Sequence, residues 1–162
     1  MTEHAAPPMP QPTAEHLSLK EYAGKWNVDC SFFMDPAAPP MKASATETIE
    51  LVGEFWTVSK YESNFMGMPF VGRATMGYEP HAKRWVSTWI DCMGPVMFHL
   101  TGTQQGDTIT MTGKAFSCMT QSELLHRTTW KRLNKNEHLF EMFAVMPDGK
   151  EFKMMSSHYR RA

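Results

Sequence analysis

The chain has 162 residues, of which 42% are hydrophobic and 20% are charged, so it is long enough for one domain with a core and is not wholly disordered. Its net charge of −1 lacks the basic excess that nucleic acids and anionic membrane surfaces attract, so neither is an expected partner. No run of residues approaches the ~20 apolar positions of a membrane-spanning helix. The first residues also lack the basic and apolar regions of a secretory signal, so we expect a cytoplasmic protein.

Three cysteines, Cys30, Cys92 and Cys118, stand far apart and form no CxxC pair. Their number and spacing predict buried, reduced thiols rather than a disulfide framework or a structural zinc site. Fifteen methionines are the unusual feature of the composition. Because methionine is flexible and polarisable, these residues either fill irregular gaps in a core or line an adaptable apolar cavity.

The chain opens with a proline- and alanine-rich segment, and we expect residues 1–12 to form a flexible tail before a single domain over residues 13–162. The run Ser18-Leu19-Lys20-Glu21 has the pattern of a capping box. It predicts one short helix around Leu19–Ala23. Gly24 is expected to end this helix, because glycine readily adopts the backbone conformation that follows a helix.

From Lys25 onward the hydrophobic period changes to two, which indicates β-strands. The breaks between the apolar runs contain glycine, asparagine, aspartate or proline, and Pro147-Asp148-Gly149 is a strong hairpin signal. About ten strands are predicted: Lys25–Phe33, Lys42–Leu51, Phe55–Asn64, Phe70–Tyr78, Arg84–Asp91, Val96–Gln104, Thr108–Lys114, Leu124–Leu133, His138–Val145 and Glu151–Arg160.

Ten sequential strands with short links can form a sandwich or a barrel. Meander connectivity favours the barrel, because closure removes the exposed edges that a long meander would leave. We therefore predict an all-β fold, a single closed antiparallel up-and-down β-barrel with one short N-terminal helix. A barrel of this strand number leaves an interior able to hold a small ligand.

The Gly24-Lys25-Trp26 segment, placed after a short helix and at the start of the first strand, resembles the Gly-x-Trp signature of the calycin superfamily. That superfamily includes lipocalins and fatty-acid-binding proteins. The resemblance implies that Trp26 plugs the closed end of the barrel. It also implies that an arginine of the last strand, Arg160 or Arg161, packs across this tryptophan.

Five further segments carry a closer resemblance: Leu19–Trp26, Ser44–Thr48, Gly72–Pro80, Trp85–Asp91 and His158–Arg161. Together they resemble a bacterial family called domain of unknown function 1579. This resemblance implies a lipocalin-like barrel and supplies no established activity, so no functional residues follow from it.

Two strand arginines, Arg73 and Arg127, are candidate partners for an anionic ligand head group, since arginine binds carboxylates in a bidentate geometry. Arg73 shares a strand face with Val71 and Thr75, and the sequence does not decide which face points inward. Four further candidates could line the interior as aromatic or polar contacts: Trp85, Trp89, His126 and His158.

The seven histidines show no zinc-like spacing, so no metal site is predicted, although two of them could still meet across strands. His158 has one sharper alternative. Nitrobindins are calycin-like barrels that hold haem through a histidine on a late strand, but this sequence lacks the motifs of that family around the first strand. No cofactor is predicted.

Catalytic residues are unknown, because no Gly-x-Ser-x-Gly elbow or Ser/His/Asp set is present. Glu47 and Asp91 could form a carboxylate pair across strands. We expect the lumen to bind a small, mostly apolar molecule that carries an anionic head if an arginine is buried there. The alternatives are a hydrolase or isomerase that uses a lumen histidine or carboxylate, and a filled barrel that serves as a structural or oligomerisation module. The protein could also form a homodimer, which the sequence does not decide.

Overall fold

A computed structural model describes residues 8–117 and 120–162. Residues 8–12 of the predicted tail carry no helix or strand, and residues 1–7 lie outside the described part. Helix α1 (Ala14–Ser18) continues into a 3₁₀ turn (Leu19–Glu21). The ten strands that follow are β1 (Gly24–Phe32), β2 (Met41–Val52), β3 (Trp56–Phe65), β4 (Met68–Glu79), β5 (Arg84–Asp91), β6 (Phe98–Gln105), β7 (Thr108–Ser117), β8 (Ser122–Asn134), β9 (Glu137–Val145) and β10 (Glu151–Arg161).

Each strand pairs antiparallel with the next, and β1 pairs with β10 to close the barrel. The predicted closed up-and-down barrel is confirmed, and every predicted strand has a counterpart within a few residues. The hairpin predicted at Pro147-Asp148-Gly149 also forms. The Gly149 N–H donates to the carbonyl of Met146 over 2.8 Å, and Gly149 has a φ of +82°. Among the described residues, no helix is long and apolar enough to cross a membrane.

The helix starts earlier than its predicted bounds. Its first turn is capped by Thr13, whose backbone N–H donates to Nδ1 of His16 over 3.0 Å. The predicted capping box was therefore wrong, and the Ser18 hydroxyl donates instead to the carbonyl of Glu15 over 2.7 Å. The helix lies across one end of the barrel, where Nε2 of His16 lies 3.0 Å from the carbonyl of Tyr78.

Side chains alternate between the interior and the outer wall along each strand. In β1, Trp26, Val28 and Cys30 are buried, whereas Asn27 and Asp29 between them are exposed. This alternation follows from the two-residue period of a strand, and it is interrupted by register shifts at Lys153–Met155 in β10 and Arg132–Asn134 in β8.

The two ends of the barrel differ in composition. The four turns beside the helix, at residues 53–55, 80–83, 106–107 and 135–136, contain no methionine. Four of the five connections at the opposite end carry described methionines. Met146 is half-buried, and the others are exposed: Met34, Met66, Met93 and Met97. We call the helix-covered end the closed end and the other the open end. Its exposed thioethers give the open end an adaptable apolar rim.

Candidate functional site

The closed end is plugged by Trp26, as the resemblance to calycins implied. The indole is fully buried, its Nε1 donates to the carbonyl of Tyr22 over 2.8 Å, and the guanidinium carbon of Arg161 lies 4.2 Å from the centre of the ring system. Of the two arginines expected from the resemblance, Arg160 and Arg161, it is Arg161 that makes this contact. Because successive strand residues face opposite sides, Arg160 points outward, where it pairs with Asp29.

Backbone carbonyls hold Arg161 in place. Its Nη1 donates to the carbonyl of Ala23 over 2.9 Å, and its Nη2 donates to those of Glu21 and Lys135 over 3.0 and 3.1 Å. The guanidinium thereby ties the end of the 3₁₀ turn to the β8–β9 turn. Gly24 is required beneath it, because its φ is +126° and an added Cβ would lie 2.7 Å from Nη1 of Arg161.

His138 packs below this plug. It is fully buried, its ring centre lies 4.0 Å from that of Trp26, and neither ring nitrogen has a hydrogen-bond partner among the described residues. Burial, together with the charges of Arg161 and Arg132, lowers the pKa of His138 to about 4. The closed half of the barrel is therefore a packed core that contains a neutral histidine.

The open half of the interior is less tightly filled. Several inward-facing side chains are only half-buried there, whereas Trp26, Trp85 and His138 of the closed half are fully buried. The half-buried inward residues include Phe32, Phe70, Ser87, Trp89, Phe98, Phe140, Met142 and Met155.

Aromatic rings line this accessible part. Trp89 lies 6.5 Å from Phe70 in a stacked arrangement and 5.8 Å from Tyr61 edge to face. Its indole crosses Gly72 so closely that an added Cβ there would lie 2.2 Å from the ring, so only glycine leaves room for it. Phe98 meets the ring of His126 edge to face at 5.0 Å. These rings offer a flat apolar ligand several faces on which to pack.

A buried carboxyl group lies between this apolar wall and the plug, since Glu47 is the cross-strand neighbour of both Tyr61 and Trp26. Glu47 is 3% exposed, and its Oε1 accepts a hydrogen bond of 2.5 Å from the hydroxyl of Ser59. Its Oε2 is buried with no hydrogen-bond partner among the described residues. The Tyr159 hydroxyl approaches the same group and lowers its pKa, as Ser59 does, but burial outweighs both and raises the pKa of Glu47.

Further polar groups lie beside Glu47. The Tyr61 hydroxyl is 2.8 Å from Sγ of Cys30, and the Ser157 hydroxyl donates to the same sulfur over 3.3 Å. Burial raises the pKa of the Cys30 thiol, and burial together with Cys30 and Glu47 raises that of Tyr61. We call Cys30, Glu47, Ser59, Tyr61, Ser157 and Tyr159 the polar cluster.

Two further buried polar atoms face the interior without a partner among the described residues. They are Nδ1 of His126 and Nε1 of Trp85. Burial lowers the pKa of His126, so its ring is held in the neutral form. Buried polar atoms in proteins are nearly always hydrogen-bonded to protein, to water or to a ligand. The interior therefore has polar capacity that its own side chains do not use.

Three of the predicted ligand residues point into the barrel interior. Trp85, Trp89 and His126 all lie on the inward phase of their strands. The remaining predicted residues, Arg73, Arg127 and His158, lie on the outward phase.

The outward residues already have surroundings that account for them. Arg73 is exposed, and the guanidinium of Arg127 makes a bidentate pair with Glu151 at 2.5 and 2.6 Å. Neither arginine can meet a head group in the lumen. Nε2 of His158 lies 2.9 Å from Oε2 of Glu137, and its Nδ1 lies 3.0 Å from Nη2 of Arg160. His158 therefore does not face the interior as a haem ligand would.

The polar cluster was not predicted from the sequence. Glu47 was considered only as one half of a pair with Asp91, but the two carboxylates have separate partners, since Asp91 accepts from Trp89 and Met93. The signal was present. Strand β2 places Ala43, Ala45 and Ile49 on its apolar face, and Glu47 occupies the same phase. An acid on the buried phase of a strand indicates either a pair or a site.

Cys30 is buried as predicted, whereas Cys92 is exposed, so the prediction of a buried thiol was wrong there. Cys118 lies outside the described residues. No group of three histidine, cysteine, aspartate or glutamate side chains among residues 8–117 and 120–162 is placed to hold a metal ion. Two surface depressions, of about 390 and 540 Å³, lie on the outer wall of β1–β2 and beside Arg161, away from the polar cluster.

Fold and interior together define a calycin-like barrel with a plugged end, an open end and an aromatic lumen. Residues 11–161 match the family described as Protein of unknown function (DUF1579), and the chain belongs to that family. No curated protein matches the sequence.

Solved structures share the fold at low sequence identity. Rv2717c from M. tuberculosis has a TM-score of 0.69 and 13% identity, over 94% of this chain and 99% of that one. The S-type phycobiliprotein lyase CPES from Guillardia theta has a TM-score of 0.59 and 12% identity, over 93% and 98%. A barrel named EF1p2_mFAP2b, bound to DFHBI, has a TM-score of 0.51 and 7% identity, over 92% and 100%. At these identities the likeness concerns the fold.

Proposed function

We propose that the barrel binds a small, mostly apolar molecule in the open half of its lumen. The observation that carries this proposal is the combination of half-buried inward aromatic side chains with buried polar atoms that lack partners, namely Oε2 of Glu47 and Nδ1 of His126. Ligand sites in proteins are typically apolar concavities with a few convergent polar groups. The bound DFHBI in one barrel of similar fold is in keeping with this use of a lumen.

The contacts set the affinity that the site can reach. Each Å² of apolar ligand surface removed from water contributes about 25 cal/mol, against which association costs several kcal/mol. A molecule of two or three fused rings would therefore bind in the micromolar range. The methionine rim suits such a ligand, since flexible thioether side chains can adapt to the shape of a ligand that enters the lumen. A purely structural role would account for the packed closed half but not for the half-buried aromatic side chains. A homodimer stays a prediction.

The test is native mass spectrometry of the protein purified from its own host, which shows a co-purifying ligand by its mass. A matched pair of variants locates the site. Trp89→Ala should weaken binding of that ligand about tenfold, because it removes an aromatic wall of the lumen. Trp56→Ala should leave binding unchanged, since Trp56 lies on the outer phase of β3. Protein that carries no ligand and binds no apolar probe would overturn the proposal.

A second function is favoured by one observation, the buried carboxyl group of Glu47 with its raised pKa beside Ser59 and Tyr61. Groups of this kind serve as general acids. In this alternative the barrel is an isomerase or hydrolase of small molecules, and Glu47 delivers a proton to the bound substrate. Incubation of the identified ligand with the wild-type protein and with Glu47→Gln distinguishes the two functions. An enzyme converts the ligand into a product, whereas a binding protein returns it unchanged. If Glu47 is the general acid, the Glu47→Gln variant should bind the ligand without converting it.

A further inference from the structure

We infer that the ligand of the lumen carries a basic nitrogen on an apolar body, and that this nitrogen binds as a cation against Oε2 of Glu47. This inference rests on the binding function proposed above and names its ligand class. It also replaces the anionic head group that the sequence suggested when Arg73 and Arg127 were candidates.

The distribution of charge in the barrel supports a cation. Glu47 is the one fully buried carboxylate, lysine or arginine side chain among the described residues. Arg161, the arginine on the inward phase of β10, is held at the closed end by backbone carbonyls. A carboxylate or phosphate in the lumen would therefore meet a buried acid and no counter-charge. Burial of an unpaired anion is costly, so such ligands are selected against.

The geometry around Glu47 leaves one oxygen for a donor. Ser59 donates to Oε1 at 2.5 Å, and the Tyr159 hydroxyl lies near the carboxyl group, but Oε2 meets no donor in full hydrogen-bonding geometry within the described part of the chain. An ammonium or protonated ring nitrogen would supply the missing N–H together with a compensating charge. Tyr61 and Tyr159 lie beside the carboxyl group, and their ring faces also attract cations.

The groups that face Glu47 impose a proton balance on this binding. They are the thiol of Cys30 in β1, the hydroxyls of Ser59 and Tyr61 in β3, and the hydroxyl of Tyr159 in β10, and none of them is a cation. Burial raises the pKa of Glu47, so the empty site favours the protonated acid. A protonated amine favours the ionised form of Glu47, so any proton that the acid holds in the empty site passes to solvent when the amine binds. Binding of a neutral alcohol of the same shape releases none.

The experiment compares three probes with one aromatic body by isothermal titration calorimetry: naphthylmethylamine, naphthylmethanol and naphthoate. The amine should bind the wild-type protein at least about tenfold more tightly than the alcohol, and naphthoate should bind most weakly. Glu47→Gln keeps the shape of the side chain and should abolish the difference between amine and alcohol. Glu62→Gln, an exposed position paired with Lys60 on the outer wall, should preserve it.

The outcomes separate the inference from the binding function. If all three probes bind equally, or naphthoate binds best, the inference is overturned while lumen binding stands. If none of the three probes binds, both the proposed lumen binding of aromatic ligands and the inference of a cationic ligand are wrong. If Glu47→Gln does not fold, the wild-type protein alone decides the matter. Amine binding should then weaken as the pH falls and Glu47 is protonated, whereas alcohol binding should not, and an identical pH dependence for the two probes would overturn the inference.

Discussion

Trp26 and Arg161 are direct cross-strand partners, and the guanidinium carbon of Arg161 lies 4.2 Å from the centre of the Trp26 ring system. The same arginine donates to carbonyls of the helical segment and of the β8–β9 turn. One side chain therefore joins the first strand, the last strand, the helical segment and a hairpin. The closed end depends on this contact more than on any of the exposed ion pairs around it.

We expect Trp26→Ala to lower the free energy of unfolding by about 3–5 kcal/mol, because it empties the space of a fully buried indole. Urea denaturation followed by fluorescence measures the change. Trp56→Ala is the control, since that indole is 39% exposed and its loss should shift the midpoint far less. Equal shifts of the denaturation midpoint in the two variants would show that Trp26 does not belong to the core.

Arg161→Lys should cost about 1–3 kcal/mol of unfolding free energy. Lysine keeps the charge but cannot present several N–H groups in one plane to the carbonyls of Glu21, Ala23 and Lys135. Arg160→Lys should change stability by less than about 0.5 kcal/mol, because Arg160 makes an exposed ion pair with Asp29. The prediction fails if the two substitutions are equivalent in urea denaturation.

His138 should make the fold sensitive to mild acid. Its pKa is about 4 in the folded protein against an ordinary value of 6.5, so the unfolded chain binds the proton first. Stability is therefore full above pH 6.5 and falls as the pH drops towards 4, by up to about 3 kcal/mol. His138→Phe retains a ring beside Trp26 and should flatten this dependence. His81→Gln, at an exposed turn, should leave it intact.

Glu47 should act with the opposite sign. Its pKa is raised above 4.5 in the folded protein, so its contribution is full below pH 4.5 and is lost as the pH rises through the folded value. Glu47→Gln removes this loss, and the variant should gain stability relative to wild type with rising pH. Thermal unfolding of both proteins across pH 4 to 8 measures the difference. A constant difference would show that the fold does not raise the pKa of Glu47.

The methionines of the open end should oxidise before those of the core. Met34 and Met66 are 62% and 74% exposed, whereas Met76 and Met111 are 8% and 1% exposed. Mild peroxide treatment followed by peptide mass spectrometry should show sulfoxide first at the rim. Because the sulfoxide is polar, the treated protein should also bind apolar probes more weakly. Equal oxidation of all four methionines would contradict the difference in solvent exposure between the rim of the open end and the core.

The sequence was sufficient for the barrel, because its strands alternate strictly and its turns contain characteristic residues. The start of the helix was misplaced, since Ser18–Glu21 and Thr13–His16 both have capping patterns and only contact with the barrel end selects between them. The faces of Arg73 and Arg127 could not be assigned from a single strand, because parity gives two faces without saying which is inside. The inward position of Glu47 could be read from the alternation of β2. Its hydrogen bond to Ser59 could not be predicted, because Ser59 lies in the next strand and the pairing register is not evident from the sequence.

Closure of the sheet joins the beginning of the barrel sequence to its end. The ion pair between Asp29 and Arg160 spans 131 positions, and the register between β1 and β10 is set over the same span. During synthesis the first strand is therefore made long before its second partner exists. Its edge stays open until β10 has left the ribosome, so the nascent chain passes through a stage that invites pairing with other chains. Completion of the barrel is the step that ends this exposure.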